Sequence, residues 1–325
     1  MDQPPDAGTQ PAPPTPSPEA PASEAPPHRS GFVTLVGRPN AGKSSLVNAL
    51  LGKKVAIASD TAQTTRHRFR AVITRPGYQV VVVDTPGIHK PHDLLGEELN
   101  ATAIKAMDGV DVVAMLIDAS QGVGTGDAWV ARQLERVAAR KVAVLSKADL
   151  VDAEALARQQ AAVESLYAWD GLVSLSALTG AHVGAFLDMA VSFLPAGPLW
   201  FPEDMETDQP LEVIVAEFIR EKVLQGFRDE IPHAIGVVTE EMAYDAKKDL
   251  YRIEASIFVE RESQKGMVIG KGGASIREIG TKARADLEHL LGCRVFLDAK
   301  VKVKKNWRRD VSQIRRFGYG EAPDR

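Results

Sequence analysis

The sequence is poor in the features that mark secreted, disulfide-bonded and membrane-embedded proteins. Cys293 is the only cysteine in 325 residues, which excludes an internal disulfide and a thiolate metal cluster and suits a reducing cytosol. No stretch reaches the ~18 consecutive apolar residues of a membrane-spanning helix. The first residues also carry neither the basic start nor the apolar core of a secretory signal. We therefore expect a cytosolic protein.

Prolines and charges are unevenly distributed along the chain. Ten of the twenty prolines fall within residues 1–27, among few large apolar side chains, so a disordered arm is predicted over residues 1–30. The net charge of -4 conceals a basic C-terminal part, because residues 294–316 contain nine basic and two acidic side chains. This part is expected to contact a polyanion.

The remaining chain changes its pattern once, which predicts two folded domains and a linker. Over residues 31–195, short β-branched runs alternate with segments of helical periodicity, so an α/β domain with a mostly parallel sheet is expected. One antiparallel edge hairpin is predicted within it, around a tight proline-glycine turn. Proline-rich residues 196–210 are the predicted linker. Residues 211–325 follow the order helix, two strands, helix, strand, which indicates a small α+β domain.

Directly after the first predicted strand stands a sequence of the form G-x-x-x-x-G-K-S. Its glycines let backbone amides turn inward, and the following helix adds its positive N-terminal end, so the loop can hold phosphate groups. Lys43 is expected to reach the β- and γ-phosphates, and Ser44 to bind Mg²⁺. An ordinary glycine turn is the alternative, which the flanking strand and helix disfavour. The expected nucleotide contacts here are Gly37, Arg38, Pro39, Asn40, Ala41, Gly42, Lys43, Ser44 and Ser45.

A second sequence, Asp84-Thr85-Pro86-Gly87, follows a predicted strand. The carboxyl end of such a strand lies beside the phosphate loop in an open α/β sheet. Asp84 is therefore expected to hold Mg²⁺ through water, and the Gly87 amide to contact the γ-phosphate. A turn without function is the alternative. Ile88 comes next and cannot orient the attacking water as a glutamine would, so slow intrinsic hydrolysis that a partner accelerates is expected.

The polar segment of residues 59–68 lies between the phosphate loop and the hairpin, where a switch that orders around γ-phosphate and Mg²⁺ is expected. Thr65 is the predicted Mg²⁺ ligand, with Thr64 as the alternative. A plain surface loop is the alternative for the whole segment. Lys43, Thr65 and Gly87 are thus the predicted catalytic residues. Catalysis by a nearby histidine is disfavoured because phosphoryl transfer needs little acid or base chemistry.

Two further loops predict which base is bound. Each loop follows a predicted strand, and their sequences are Ser146-Lys147-Ala148-Asp149 and Ser176-Ala177-Leu178. They resemble the base-reading N-K-x-D and S-A sequences of the translation-factor-like GTPases. A carboxylate at Asp149 can accept from the ring N–H and the exocyclic amine of guanine, which adenine lacks, so GTP is predicted over ATP. Ser146 replaces the asparagine of that signature. Its hydroxyl is expected to weaken the bond from this position to the phosphate loop or to guanine N7.

The second domain contains a G-x-x-G sequence in front of a predicted helix. With its apolar flanks it matches the K-homology (KH) pattern, in which backbone and a helix end clamp a few single-stranded nucleotides, so RNA is favoured over single-stranded DNA. The following strand turns lysines to one face, for which a merely solvated face is the alternative. A positive field is expected to continue through Trp307, Arg308, Arg309, Arg315 and Arg316. The expected RNA contacts are Gly270, Lys271, Gly272, Gly273, Arg277, Lys300, Lys302 and Lys304.

Taken in order, these sequences make the chain from residue 31 to about 320 similar to the Era-like family of P-loop GTPases, whose members end in a KH domain. The resemblance implies a P-loop GTPase domain, Mg²⁺-dependent hydrolysis of GTP to GDP, and a monovalent cation such as K⁺ near Asn40. It also implies binding to the 3′ region of 16S ribosomal RNA and a role in assembly of the 30S ribosomal subunit. A cytoplasmic protein with peripheral association with the inner face of the cell membrane is implied as well.

Two alternatives compete with a GTP-driven switch. A metabolic P-loop kinase would use ATP and transfer phosphate to a small molecule, but Asp149 and the RNA-type domain speak against it, and no metabolic substrate other than GTP is expected. An RNA-binding scaffold with a weakly active or structural nucleotide site is disfavoured by the complete phosphate loop. Ser146 and Ile88 are the two residues that favour the scaffold.

Overall fold

The computed structural model describes residues 27–58, 64–91, 93–227 and 230–319. The predicted arm lies outside the described residues up to residue 26, and so do residues 59–63 of the predicted switch segment. Among the helices within these ranges, none combines the length and apolar character that crossing a membrane requires.

The first unit is built on a six-stranded sheet. Its strands are β1 (Arg29–Gly37), β2 (Phe69–Arg75), β3 (Tyr78–Asp84), β4 (Val112–Asp118), β5 (Arg140–Ser146) and β6 (Gly171–Ser174). The order is β2-β3-β1-β4-β5-β6, and only β2 and β3 pair antiparallel. The predicted sheet with one antiparallel edge hairpin is confirmed. The predicted boundary of the disordered arm at residue 30 was wrong, because β1 already begins at Arg29. This residue pairs with Tyr78 and donates to the Leu194 carbonyl at 2.6 Å.

Helices cover both faces of this sheet. They are α1 (Lys43–Leu51), α2 (Leu94–Lys105), α3 (Thr125–Leu134), α4 (Ala153–Glu164) and α5 (Val183–Phe193). α1 and α5 bury Leu46 and Phe186 on one face, whereas α3 and α4 bury Val130 and Val163 on the other, as the helical spacing of their apolar residues dictates. The apolar spacing predicts a helix over Ala153–Trp169, but α4 ends at Glu164. The Trp169 indole donates back to the Val163 carbonyl at 2.8 Å and closes the following turn.

Residues 196–210, the predicted linker, run along the first unit. Isolated backbone bridges join this segment to β1 and β2. The backbone N–H groups of Trp200 and Phe201 donate to Gln79 Oε1 at 2.7 and 3.0 Å. The segment is therefore held against the sheet edge before the second unit begins.

The second unit is an α+β arrangement on a three-stranded sheet. Its elements are α6 (Leu211–Gly226), α7 (Glu230–Ala234), β7 (Gly236–Asp245), β8 (Leu250–Val259), α8 (Glu262–Ile269), α9 (Ala274–Leu291), β9 (Arg294–Val303) and α10 (Val311–Arg316). β8 lies between β7, which is antiparallel to it, and β9, which is parallel. α6 and α9 pack on one face of this sheet. α8 was not predicted, because eight residues that include Gly266 give too short a periodic signal.

Candidate functional site

The phosphate loop follows β1 and bends where its glycines allow. Gly37 and Gly42 have φ of 145° and 90°, a region that favours glycine, and the turn leads directly into α1. Lys43 Nζ lies under the loop and donates to the carbonyls of Gly37 and Arg38 at 3.2 and 2.9 Å. Burial lowers the pKa of Lys43 to about 8, and nearby Asp84 opposes this shift. The ammonium therefore points at the space that the loop encloses.

The Arg38 side chain, predicted as a nucleotide contact, turns away from the loop. Its Nε donates to Asp127 Oδ1 at 3.0 Å, and Asp127 also accepts from the Gly124 amide at the start of α3. Only the backbone of Arg38 faces Lys43. Asn40 has φ of 62°, and Ser45 is half-buried on α1.

Three oxygen-bearing side chains expected to hold Mg²⁺ lie together. Ser44 Oγ donates to Asp84 Oδ2 at 2.8 Å and lies 2.7 Å from Thr65 Oγ1. Asp84 is fully buried, and its Oδ1 has no hydrogen-bond partner among the described residues. Burial raises the pKa of Asp84 to about 6, although Lys43 and Ser44 oppose the shift. A buried carboxylate oxygen beside two hydroxyls is a donor set that suits Mg²⁺, so the residues fit the ion.

The Asp84–Gly87 segment is pressed against the phosphate loop. The Thr85 hydroxyl donates to the Leu35 carbonyl at 2.7 Å, and the Ile88 amide donates to the Gly37 carbonyl at 3.0 Å. A Cβ on Gly87 would lie 2.7 Å from the backbone of Pro39, so only glycine fits. Pro86 is buried beside them. The Ile88 side chain is fully buried in the core, and position 88 offers no group that could orient water.

The two loops that are predicted to read the base meet at the ends of β5 and β6. The Ala148 amide donates to the Leu175 carbonyl at 3.1 Å, and Ser176 Oγ accepts from the Thr179 amide at 3.1 Å. Asp149 is exposed, and its carboxylate has no partner among the described residues. Ala177 is half-buried and Leu178 is exposed next to it. An open carboxylate is what reading of guanine requires.

Asp118 supports the loop of residues 146–149, and the sequence analysis did not predict this role. Its Oδ2 accepts from Lys147 Nζ at 2.7 Å, and its Oδ1 accepts from Ser120. Burial opposes ionisation of Asp118, but the bonds from Lys147 and Ser120 outweigh it and lower the pKa. Lys147 itself has φ of 56°. An acidic residue at the end of β4, next to the end of β5, was the available signal.

The G-x-x-G loop connects α8 to α9. Gly270, Gly272 and Gly273 all have positive φ, and a Cβ on Gly270 would lie 2.9 Å from the Ser275 backbone nitrogen. Lys271 is exposed at the tip, and Arg277 Nη2 reaches back to the Gly272 carbonyl at 3.5 Å. The loop, two basic side chains and the N-terminus of α9 are thus brought together.

The structure does not bring the β9 lysines to this loop. Val295, Leu297 and Val301 face α9, so the alternating lysines project from the opposite face of the sheet. There Lys300 pairs with Asp298 and Glu254, Lys302 pairs with Glu240, and Lys304 is half-buried.

The expected positive field was wrong for Trp307 and Arg308. The Trp307 ring is fully buried and its indole donates to the Ala234 carbonyl at 2.9 Å. Arg308 pairs with Glu260 and, across the two units, with Asp93 at 3.0 Å. Charge composition could not reveal this, because the aromatic and apolar residues of the segment decide which side is buried.

Residues 64–66 connect the predicted Mg²⁺ cluster, which consists of Ser44, Thr65 and Asp84, to the second unit. The Thr64 carbonyl accepts from Arg220 on α6, whose guanidinium also pairs with Glu217 at 2.5 Å. The buried Arg66 guanidinium donates to the carbonyls of Ile235 and, at 3.2 Å, Pro232. The sequence assigned no role to Arg66, and its place beside Thr65 was the only signal.

The comparisons with known proteins agree with this arrangement. A family model described as “50S ribosome-binding GTPase” matches residues 32–147, and one described as “KH domain” matches residues 230–308. GTPase Era from Mycolicibacterium smegmatis is 46% identical over 295 residues, which is 90% of this chain and 99% of that protein. GTPase Era from Mycobacterium avium is 47% identical over the same share.

The chain belongs to the Era family of GTPases. Two solved Era structures share its fold, each with a TM-score of 0.87 over 90% of this chain and 100% of the other. One, 36% identical, is Era in complex with MgGDPNP and nucleotides 1506–1542 of 16S ribosomal RNA. The other, 35% identical, is a variant of Aquifex aeolicus Era bound to GDP and AlF₄⁻. Membership of the Era family confirms the predicted P-loop GTPase fold with a C-terminal KH domain.

Proposed function

We propose that this GTPase is a molecular switch that binds the 3′ region of 16S ribosomal RNA through its KH domain and acts in 30S subunit assembly. The observation that carries the proposal is one short segment: Thr65 lies in the Mg²⁺ cluster, while the neighbouring Thr64 carbonyl is held by Arg220 of the second unit. A change at the γ-phosphate that moves this segment must also strain or release its bonds to the RNA-binding unit.

In this proposal Lys43 binds the β- and γ-phosphates, and Ser44, Thr65 and Asp84 hold Mg²⁺. When bound, Mg²⁺ neutralises charge on the phosphates during transfer. The Gly87 amide is held against the phosphate loop, where it can donate to the γ-phosphate. Because Ile88 is buried, the attacking water must be oriented by backbone groups or by a cation such as K⁺ near Asn40. Slow turnover without a partner follows.

The RNA contacts in this proposal centre on Gly270–Gly273 and Arg277, which lie together at the N-terminus of α9. Lys300, Lys302 and Lys304 form a second set on the far face of the sheet. Since Lys300 and Lys302 are paired with carboxylates, they contact phosphate only if RNA displaces those partners. Their contribution to affinity is expected to be smaller than that of Lys271.

The test is the affinity of a labelled 3′-terminal 16S RNA fragment, measured by fluorescence anisotropy with GDP, with a non-hydrolysable GTP analogue and without nucleotide. The affinity should change by about fivefold or more between nucleotide states, and the RNA should raise the rate of GTP hydrolysis. Lys271→Asp should weaken RNA binding, whereas Lys247→Asp, the same charge change on the exposed β7–β8 turn, serves as its control.

The scaffold alternative makes a different forecast for the same experiment. If RNA affinity is equal in all nucleotide states and GTP turnover is absent with and without RNA, the nucleotide site is structural. Ser146 and Ile88 are the residues that favour this second function.

Peripheral association with the inner membrane face is also part of the proposal, and it rests on the family resemblance alone. Co-sedimentation with vesicles of anionic lipids, at low and high salt, tests it.

A further inference from the structure

We propose that Ser146 is a positioning residue that supports the phosphate loop by a hydrogen bond. This protein consequently binds guanine without a hydrogen bond from position 146 to N7. The inference deepens the proposed GTPase function and rests on the predicted role of Asp149 in reading guanine. It concerns the position at which this chain departs from the N-K-x-D signature.

The Ser146 hydroxyl is buried at the end of β5, beneath the phosphate loop. Its Oγ lies 2.7 Å from the Ala41 carbonyl oxygen and 3.1 Å from the Ile117 carbonyl oxygen. A Cβ built on Gly42 would lie 3.7 Å from the Ser146 Cβ, so the side chain supports the turn that leads into α1. The weakening of the bond to the loop that the sequence suggested is therefore not what the geometry indicates.

The number of protons on the side chain at position 146 decides whether it can donate a hydrogen bond to guanine N7. A serine hydroxyl carries one proton, and both groups within reach of Oγ are carbonyl acceptors. Guanine N7 is an acceptor too. When the Ser146 hydroxyl donates its proton to the Ala41 or Ile117 carbonyl, it has none left to donate to N7. The lone pairs of the Ser146 oxygen then repel the lone pair of N7. An asparagine amide has two protons and could serve a carbonyl and N7 together.

The remaining base contacts do not depend on N7. The Asp149 carboxylate is open to solvent and would accept from the ring N–H and the exocyclic amine, which lie on the other side of the purine. Lys147 is held in place by Asp118 at 2.7 Å. The protein can thus distinguish guanine from adenine while N7 accepts a hydrogen bond from water.

The experiment compares GDP with 7-deaza-GDP, which replaces N7 by a C–H group, in competition with a fluorescent GDP on the full chain with Mg²⁺. The unaltered protein should bind the two within about twofold, and Ser146→Asn should prefer GDP by about fivefold, the worth of one hydrogen bond. Ser146→Ala should lower the affinity for both nucleotides equally, by about threefold to tenfold, because it removes the hydrogen bond that supports the phosphate loop. Ser192→Ala, which alters an exposed serine on α5, is the matched control.

Three results would overturn the inference: a fivefold preference for GDP in the unaltered protein, unchanged affinity in Ser146→Ala, or no gain of preference in Ser146→Asn. Should Ser146→Asn fail to fold, the unaltered protein and Ser146→Ala decide the matter alone. Failure of the underlying base-reading proposal looks different, because the unaltered protein would then bind ADP as well as GDP.

Discussion

At the scale of single residues, Gly87 lies where one added methyl group would collide with the phosphate loop. The Cβ of Gly87→Ala would lie 2.7 Å from the Pro39 backbone, so either the loop or the Gly87 amide must move. Such a displacement is expected to lower kcat for GTP by up to about 100-fold and to destabilise the fold by about 1 to 3 kcal/mol. Turnover and urea unfolding measure the two effects.

Gly184→Ala is the control for this substitution. Gly184 lies in α5 with open space around its Cβ position, so alanine should be neutral or stabilise by up to about 1 kcal/mol, with unchanged turnover. If Gly87→Ala also left turnover unchanged, the close approach to Pro39 would have no catalytic meaning.

Lys43 offers a second prediction at this scale. Its buried ammonium donates to two uncharged carbonyls of the loop, so its charge is available to phosphate. Lys43→Ala should weaken GTP and GDP binding by about 100-fold or more, since a charge-assisted contact is lost. Titration with a fluorescent nucleotide gives the affinity, and Lys53→Ala removes the same charge outside the loop. Affinity retained within threefold in Lys43→Ala would refute the assignment.

The motif residues could be predicted from the sequence because their spacing ties each to the end of a strand. Asp84 and Ser146 follow runs that can only be buried strands, so their meeting near the phosphate loop follows from a parallel sheet. What spacing could not supply is the direction of a side chain. Arg38 turns to Asp127, and Lys300 and Lys302 turn to carboxylates on the far face of the sheet.

At the scale of elements, strongly periodic segments were predictable and short or mixed ones were not. The sequence predicts a strand over Leu250–Val259 and a helix over Ala274–Leu291. β8 and α9 have these bounds, because their apolar spacing is unbroken. The segment after β9 was interpreted by its charge, yet its structure is decided by aromatic residues: Trp307, Phe317 and Tyr319 pack with Leu95 and Leu99 of α2. Contacts of this kind join residues far apart in sequence, and local patterns do not encode them.

The packing of this C-terminal segment predicts unequal roles for two tryptophans. Trp307 is fully buried with its indole bonded to the Ala234 carbonyl, whereas Trp200 is 56% exposed. Trp307→Ala should lower the free energy of unfolding by about 3 to 5 kcal/mol. Trp307→Phe should lower it by about 1 to 3 kcal/mol, because it leaves a smaller cavity and removes the donor to the Ala234 carbonyl. Trp200→Ala should cost less than Trp307→Ala. Equal losses in urea denaturation would contradict the assigned packing.

At the scale of the whole molecule, three sets of contacts between described residues join the two units. Residues 64–66 reach α6 and the α7–β7 junction, α2 packs on the C-terminal segment, and the turn after α1 forms ion pairs with α6 and α9. The first two sets involve the segments that follow the phosphate loop and Gly87. In the proposed switch, a change at the γ-phosphate would therefore reach the second unit through the hydrogen bonds of residues 64–66 and through the packing of α2.

The ion pairs after α1 provide the last prediction, because two adjacent lysines differ in their partners. Lys54 Nζ lies 2.5 Å from Glu221 and 2.9 Å from Asp286, both in the second unit, and Glu221 is almost fully buried. Within the part of the chain that the structure describes, Lys53 pairs only with Glu206, and both side chains are about half exposed. Lys54→Met removes the ammonium, which also lies 4.8 Å from the centroid of the Phe218 ring. Among the described residues, Lys222 is then the one cation that pairs with the two carboxylates.

Lys54→Met should therefore destabilise the protein by about 1 to 3 kcal/mol, the cost of leaving a buried charged group short of a partner. Lys53→Met should change stability by less than about 0.5 kcal/mol. Because the pairs join the two units, Lys54→Met should also reduce the effect of nucleotide on RNA affinity. Unfolding in urea and RNA anisotropy in both nucleotide states measure these effects. If the two lysine variants behave alike, the contact between the units does not depend on the buried pair, and coupling must run through residues 64–66 and α2 alone.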